Sequence, residues 1–166
     1  MRWIHFLNVS GRVGRARFWT VVSIILPSFV ALMMVFWFYA LSVPGEYENG
    51  GDTPMPTGPF GILAMIVWFG ALAALAIVFL SIAIRRLHDR DKAWWWIFVF
   101  LIVPDAAFGY GRYLVDTSMG GAGDMPFLAF IYPAFALYGW GLIELGFLRG
   151  SAGENRFGPD PLAGRP

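Results

Sequence analysis

The chain contains no cysteine among its 166 residues. Disulfides, thiolate metal sites and cysteine nucleophiles are thereby excluded. Charge is scarce as well: Asp, Glu, Lys and Arg make up 14% of the chain, where soluble domains carry about 25%. The formal net charge is only +1, so no basic excess points to nucleic acid. Histidine occurs twice, as His5 and His88, without a His-x-x-x-His spacing or a carboxylate cluster. No metal centre and no cofactor are expected from such a set. What the chain has instead is apolar surface: 58% hydrophobic residues, glycine not counted, and a mean hydropathy of +0.61. That composition excludes both an ordinary soluble domain and a disordered chain.

Crossing hydrocarbon as a helix takes roughly 20 mainly apolar residues. Four stretches qualify, at about 19–43, 60–84, 93–115 and 126–148. The first two carry no charge, and the first contains Pro27, which membrane helices tolerate. The third is broken, because its apolar run from Ala93 to Val103 is followed by Pro104 and Asp105. A short tilted span, or an unwinding near Pro104, is expected there. The fourth carries one acid, Glu144. Residues 1–18 form an arm and 149–166 a turn-rich tail. Residues 44–59 form an acidic connector full of turn residues, 85–92 (RRLHDRDK) a short charged connector, and 116–124 (DTSMGGAGD) a Gly-rich acidic loop. The predicted fold is a single all-α membrane domain, a bundle of four transmembrane helices.

The bases fall on one side. Arg2, Arg12, Arg15 and Arg17 lie in the arm, Arg85, Arg86, Arg90 and Lys92 in the middle connector, and Arg149, Arg156 and Arg165 in the tail. The remaining two loops share only Arg112. The positive-inside rule then puts both termini in the cytoplasm, as an even number of spans requires. The first apolar run far exceeds a signal-peptide core of about 7–15 residues, so an uncleaved helix is expected. Trp3, Trp19 and the Trp94–Trp95–Trp96 run mark the basic edge as headgroup-level anchors.

Three polar segments share that edge: SGRVGRARFW (10–19), RRLHDRDKAWWW (85–96) and GSAGENRFGPDP (150–161). The first supplies Gly11, Arg12, Arg15, Phe18 and Trp19. The second supplies Arg85, Arg86, Leu87, His88 and Asp89, with Trp94 and Trp95. The third supplies Gly153, Asn155, Phe157, Gly158, Pro159, Asp160 and Pro161. In this order, at these membrane boundaries, the trio resembles the "domain of unknown function 805" family of small bacterial inner-membrane proteins. Members of that family pass from the tryptophans to the last motif in one or two short hydrophobic segments. Here the Pro104–Asp105 break and the DTSMGGAGD loop intervene. The resemblance implies a multi-pass protein of the bacterial cytoplasmic membrane and implies no activity.

Taken by their chemistry, Arg12, Arg15, Arg85, Arg86 and His88 are candidate contacts for anionic headgroups or a partner. Arginine presents a planar fork of donors to phosphate, and each base near the leaflet gains about 1 kcal/mol from anionic lipid. Setting topology by positive charge accounts for the same residues more simply. Asp89, Asn155 and Asp160 are candidates for locking arm, connector and tail together through the motif arginines, with Asp160 expected to pair with Arg12 or Arg86. His88 and Asp89 form the only conceivable acid–base pair, but neighbours on a helix point about 100° apart. Glu144 is an intramembrane acid, a functional candidate by default, although Arg149 lies only about one turn away and snorkelling or pairing with a base there would explain it structurally. Gly70 and Ala74 give a small-xxx-small spacing in the second span that suits close helix packing, within the chain or in a homo-oligomer. The preferred reading is a non-catalytic protein that interacts with lipids or a membrane partner through a cytoplasmic polar cap. A small oligomeric transporter or channel component comes second. A membrane enzyme acting on lipids comes last, because no activated nucleophile or metal set can be assembled.

Overall fold

The computed structural model describes residues 9–42, 59–117 and 125–163. Arg2, Trp3, His5 and Arg165 lie outside these residues, as do position 43, positions 44–58 of the acidic connector and 118–124 of the Gly-rich loop. The helices are α1 (Arg15–Ser42), α2 (Pro59–Asp89), α3 (Val103–Thr117) and α4 (Met125–Leu142). A π-helical turn, Phe98–Ile102, leads into α3, and another, Ile143–Phe147, continues α4. Four helical stretches are long and apolar enough to cross a membrane: Arg15–Tyr39, Pro59–Asp89, Phe98–Thr117 and Phe127–Phe147. Among the described residues there is no strand, only an isolated bridge between Asn155 and Gly158.

Two expectations are corrected. The segment Arg85–Asp89 is not a connector but the end of α2. Arg86 and His88 occupy its last turn, where the partial negative charge of a helix C-terminus favours cations. The chain leaves the helix just beyond, at Asp91, whose φ of 54° is left-handed. The third span is the short one of the two alternatives, Phe98–Thr117, starting later than Ala93 and not unwinding at Pro104. Residues 93–98 make tight i to i+3 bonds, from Trp96 N–H to Ala93 O and from Ile97 N–H to Trp94 O. The helix then runs unbroken through Pro104. In the π turn the Val103 N–H donates to Phe98 O. Proline has no N–H to contribute to the ladder, and the widened turn before it accommodates the irregular bonding.

The chain divides into two compact units, residues 20–79 and residues 1–19 with 80–166. In the first, Phe36 stacks on Trp68 at 4.4 Å, and the Trp68 indole N–H donates to Leu32 O at 3.0 Å. Gly70 has open space where a Cβ would stand. In the second unit α3 packs on α4 through glycines. A Cβ on Gly111 would lie 2.9 Å from Phe130 Cβ, and one on Gly141 would lie 2.9 Å from Phe100 Cβ. Trp140 meets both Trp96 and Phe100 edge to face around that contact, and Trp96 lies tilted by 31° on Phe100. The buried core of this unit is Val13, Phe18, Ile82, Ala83, Leu87, Ile97, Phe100, Ala134 and Leu145. It lies directly under the polar residues described next.

Candidate functional site

Asp89, the last residue of α2, is 3% exposed and sits between two guanidinium groups. Arg12 reaches its Oδ1 through Nε at 3.2 Å and Nη2 at 3.1 Å. Arg86, one turn earlier on α2, donates from Nη1 to Oδ2. The side chains of Arg12 and Arg86 are 1% and 0% exposed. Their other donors go to backbone. Arg12 donates to the carbonyls of Ser151 at 2.5 Å, Gly153 at 2.5 Å and Gly158 at 3.2 Å. Arg86 donates to those of Leu145 at 2.8 Å and Leu148. A buried ion pair is tolerable when its remaining donors are satisfied in this way.

The end of the fourth span explains why so many donors converge. The last carbonyls of a helix have no partner within it. Here five consecutive carbonyls, the last three of the helix and the two just beyond it, accept from side chains. Leu145 O takes Arg86 Nε, Gly146 O the Trp19 indole N–H at 2.9 Å, and Phe147 O takes Arg15 Nη1 at 3.0 Å. Leu148 O takes Arg86 Nη2 and Arg149 O takes Arg90 Nη1. The three polar segments therefore close around one helix terminus. A Cβ on Gly146 would strike the Trp19 ring, and one on Gly150 would overlap the Asp89 carboxylate.

The tail is folded onto α2 by local chemistry. Ser151 N–H donates to Asp89 O at 2.7 Å. The Asn155 amide donates to His88 O at 3.0 Å and to Ser151 Oγ at 2.9 Å, while its oxygen accepts from Phe157 N–H at 2.9 Å. Gly153 and Gly158 take positive φ, 73° and 129°, where a side chain would be strained. The His88 ring lies flat on Phe157, with centroids 3.9 Å apart and planes 3° apart, and its Nδ1 is 3.3 Å from Gly11 O. His88 and Asp89 thus face different partners and do not form an acid–base pair.

Of the residues singled out from the sequence, Arg12, Arg86, Asp89, Asn155 and His88 come together. Asp160 does not pair with Arg12 or Arg86. Its oxygens accept from Gly153 N–H at 3.3 Å and Leu162 N–H at 2.9 Å, so it shapes the tail turn. Arg85 contributes its carbonyl to Val13 N–H at 3.2 Å, and its buried Nε has no partner among the described residues. Glu144 is 3% exposed and bridged by Arg90 at 3.0 Å and Lys92 at 3.3 Å. Lys92 also lies 4.3 Å from the centre of the Trp96 ring. The sequence points to Arg149, about one turn on, as the base beside Glu144; the bases are instead Arg90 and Lys92, from an RRLHDRDK segment that holds four bases against two acids.

Beside the Asp89 knot the cap opens into a cavity of about 250 Å³, lined among others by Arg15, Asp89, Arg149, Ala152, Asp160 and Leu162. Arg15 and Arg149 are exposed there. Arg15 gives one donor to Phe147 O, and the Arg149 side chain has no ion pair or hydrogen bond among the described residues. Among the described residues no group of three or more His, Asp or Glu could hold a metal ion.

Fold and site together define a multi-pass helical membrane protein with a polar cap tied around one buried aspartate. The chain belongs to the family described as "Protein of unknown function (DUF805)", whose model matches residues 6–159. It is 24% identical over 157 residues to the inner membrane protein YhaH of Escherichia coli K12, covering 95% of this chain and 89% of that one. It is 27% identical over 104 residues to a UPF0344 protein of Staphylococcus aureus strain Newman, covering 63% of this chain and 74% of that one. No solved structure matches it.

Proposed function

We propose that this is a non-catalytic protein of the bacterial cytoplasmic membrane, with both termini and the polar cap on the cytoplasmic side. In this reading the cap holds phosphate-bearing headgroups of the adjoining leaflet. The one-sided distribution of Lys and Arg supports the orientation. The observation that carries the reading is a division of labour among the arginines. Arg12 and Arg86 are buried and their donors are taken up inside the cap. Arg15 and Arg149 stand exposed at one cavity with donors to give. Arginine forks suit phosphate oxygens there. Two further features favour binding over chemistry or transport: Asp89 is neutralised by two guanidiniums, and Glu144 is fixed by two bases.

Native mass spectrometry of the gently extracted protein tests this. The parent should retain a phospholipid-mass adduct that a variant with Arg15→Leu and Arg149→Leu loses while unfolding at the parent's temperature. Equal retention by both proteins would refute the headgroup reading, and a retained protein in place of lipid would redirect it to a membrane partner.

A further inference from the structure

The cavity holds a third charged group that the headgroup reading leaves unused. Asp160 lines the same space as Arg15 and Arg149. Its carboxylate accepts only backbone N–H groups, from Gly153 and Leu162, and forms no ion pair among the described residues. The other acid in the wall, Asp89, is already held by Arg12 and Arg86. A simple anion would use the two arginines and leave an uncompensated carboxylate facing it. A group carrying both a phosphate and a protonated amine would satisfy all three.

We infer that the cavity recognises a zwitterionic phosphoethanolamine headgroup taken from the bilayer, and this rests on the headgroup reading above. The phosphate diester accepts from Arg15 and Arg149, and the ammonium donates to Asp160. Arg149, exposed at the cavity, offers its whole guanidinium to the phosphate. Arg15 contributes the donors left over from its bond to Phe147 O. Leu162, 61% exposed on the cavity wall, and its neighbour Pro161 give an apolar edge to the glycerol and first methylenes. That edge favours a lipid over free phosphoethanolamine. A volume of about 250 Å³ admits the headgroup while leaving the acyl chains outside. Specificity comes from the amine. Phosphatidylglycerol offers the same phosphate but no cation for Asp160, and phosphatidylcholine offers a cation whose methyl groups cannot donate a hydrogen bond.

Delipidated full-length protein would be titrated in mild detergent with short-chain phosphatidylethanolamine, phosphatidylglycerol, phosphatidylcholine and free phosphoethanolamine, with bound species counted by native mass spectrometry. Phosphatidylethanolamine should bind roughly fivefold to tenfold tighter than the other two lipids, as one partly exposed charge-assisted bond allows. Asp160→Asn should erase that margin and leave phosphatidylglycerol binding intact. Arg15→Leu with Arg149→Leu should abolish retention of all three lipids. The comparison among lipids needs only the parent protein, so it stands even if Asp160→Asn unfolds. Equal, arginine-dependent binding of the three lipids would overturn the zwitterion assignment and leave the headgroup reading in place. Binding that ignores the arginines would overturn both. Free phosphoethanolamine binding as tightly as the lipid would overturn the bilayer as its source.

Discussion

Replacing Asp89 by Asn should unlatch the cap. The carboxylate is 4% exposed at the side chain and takes two hydrogen bonds and a further ion contact from two guanidiniums whose own exposure is 1% and 0%. Asparagine keeps one acceptor and turns an N–H₂ toward an arginine. Breaking a buried pair by removing one partner costs about 3–5 kcal/mol, because the surviving charge stays buried. The carbonyls of Ser151, Gly153, Leu145 and Leu148 still solvate both arginines, which places the cost near the lower end, about 3 kcal/mol. For a chain of this size that lowers the unfolding midpoint by roughly 6–12 °C. Thermal unfolding in mild detergent, followed by the fluorescence of the eight tryptophans, reads it directly. The matched control is Asp91→Asn. Asp91 pairs with Arg156 at 3.1 Å, but the two side chains are 51% and 58% exposed, so its cost should stay within about 1 kcal/mol. Helix content should survive in both variants, since spanning helices satisfy their own backbone. An Asp89→Asn midpoint within about 2 °C of the parent would refute the idea that a buried ion-pair knot holds the cap.

Other perturbations follow from the same contacts. Glu144→Gln leaves Arg90 and Lys92 facing an amide; because these bases are 26% and 23% exposed, a loss of about 2 kcal/mol is expected, measured by the same unfolding. Gly150→Ala forces a methyl into the Asp89 carboxylate and should cost about 1–3 kcal/mol; a neutral result would mean that the tail is not seated there. Tyr138→Phe removes the hydroxyl that donates to Asp105, leaving an acid unpaired within the third span. It should destabilise the protein by about 1–3 kcal/mol, while Asp105→Asn in the Tyr138→Phe background should recover part of the loss.

Much of this was legible in the sequence, for identifiable reasons. Four mainly apolar runs of about 20 residues point to four helices, because a single segment can satisfy its own backbone in lipid only as a helix. Arg12, Asp89 and Asn155 could be singled out because polar residues beside apolar spans need partners. The partners themselves were not legible. Asp160 and Asp89 are equally acidic on paper, and only the fold brings Asp89 between Arg12 and Arg86 while turning Asp160 onto its own tail. Arg85 and Arg86 could be read as closing the second span, since a helix C-terminus favours cations, but the continuation of α2 to Asp89 within a charged segment could not. The π turns at Phe98–Ile102 and Ile143–Phe147 have no composition signal. Yet the second exposes the carbonyls that Arg86 and Trp19 bind. Arg149 read as a topology charge and as the base nearest Glu144, whereas the fold sets it beside the cavity.

A cap that holds headgroups of the cytoplasmic leaflet must itself face the cytoplasm. The absence of cysteine makes that directly measurable, since a single Ala152→Cys places one thiol on the cavity wall at an exposed position. A membrane-impermeant maleimide should label this variant in inverted membrane vesicles and leave it unlabelled in intact spheroplasts. Labelling in intact spheroplasts would contradict the account, because it would put the cap, its arginines and its cavity on the outer face.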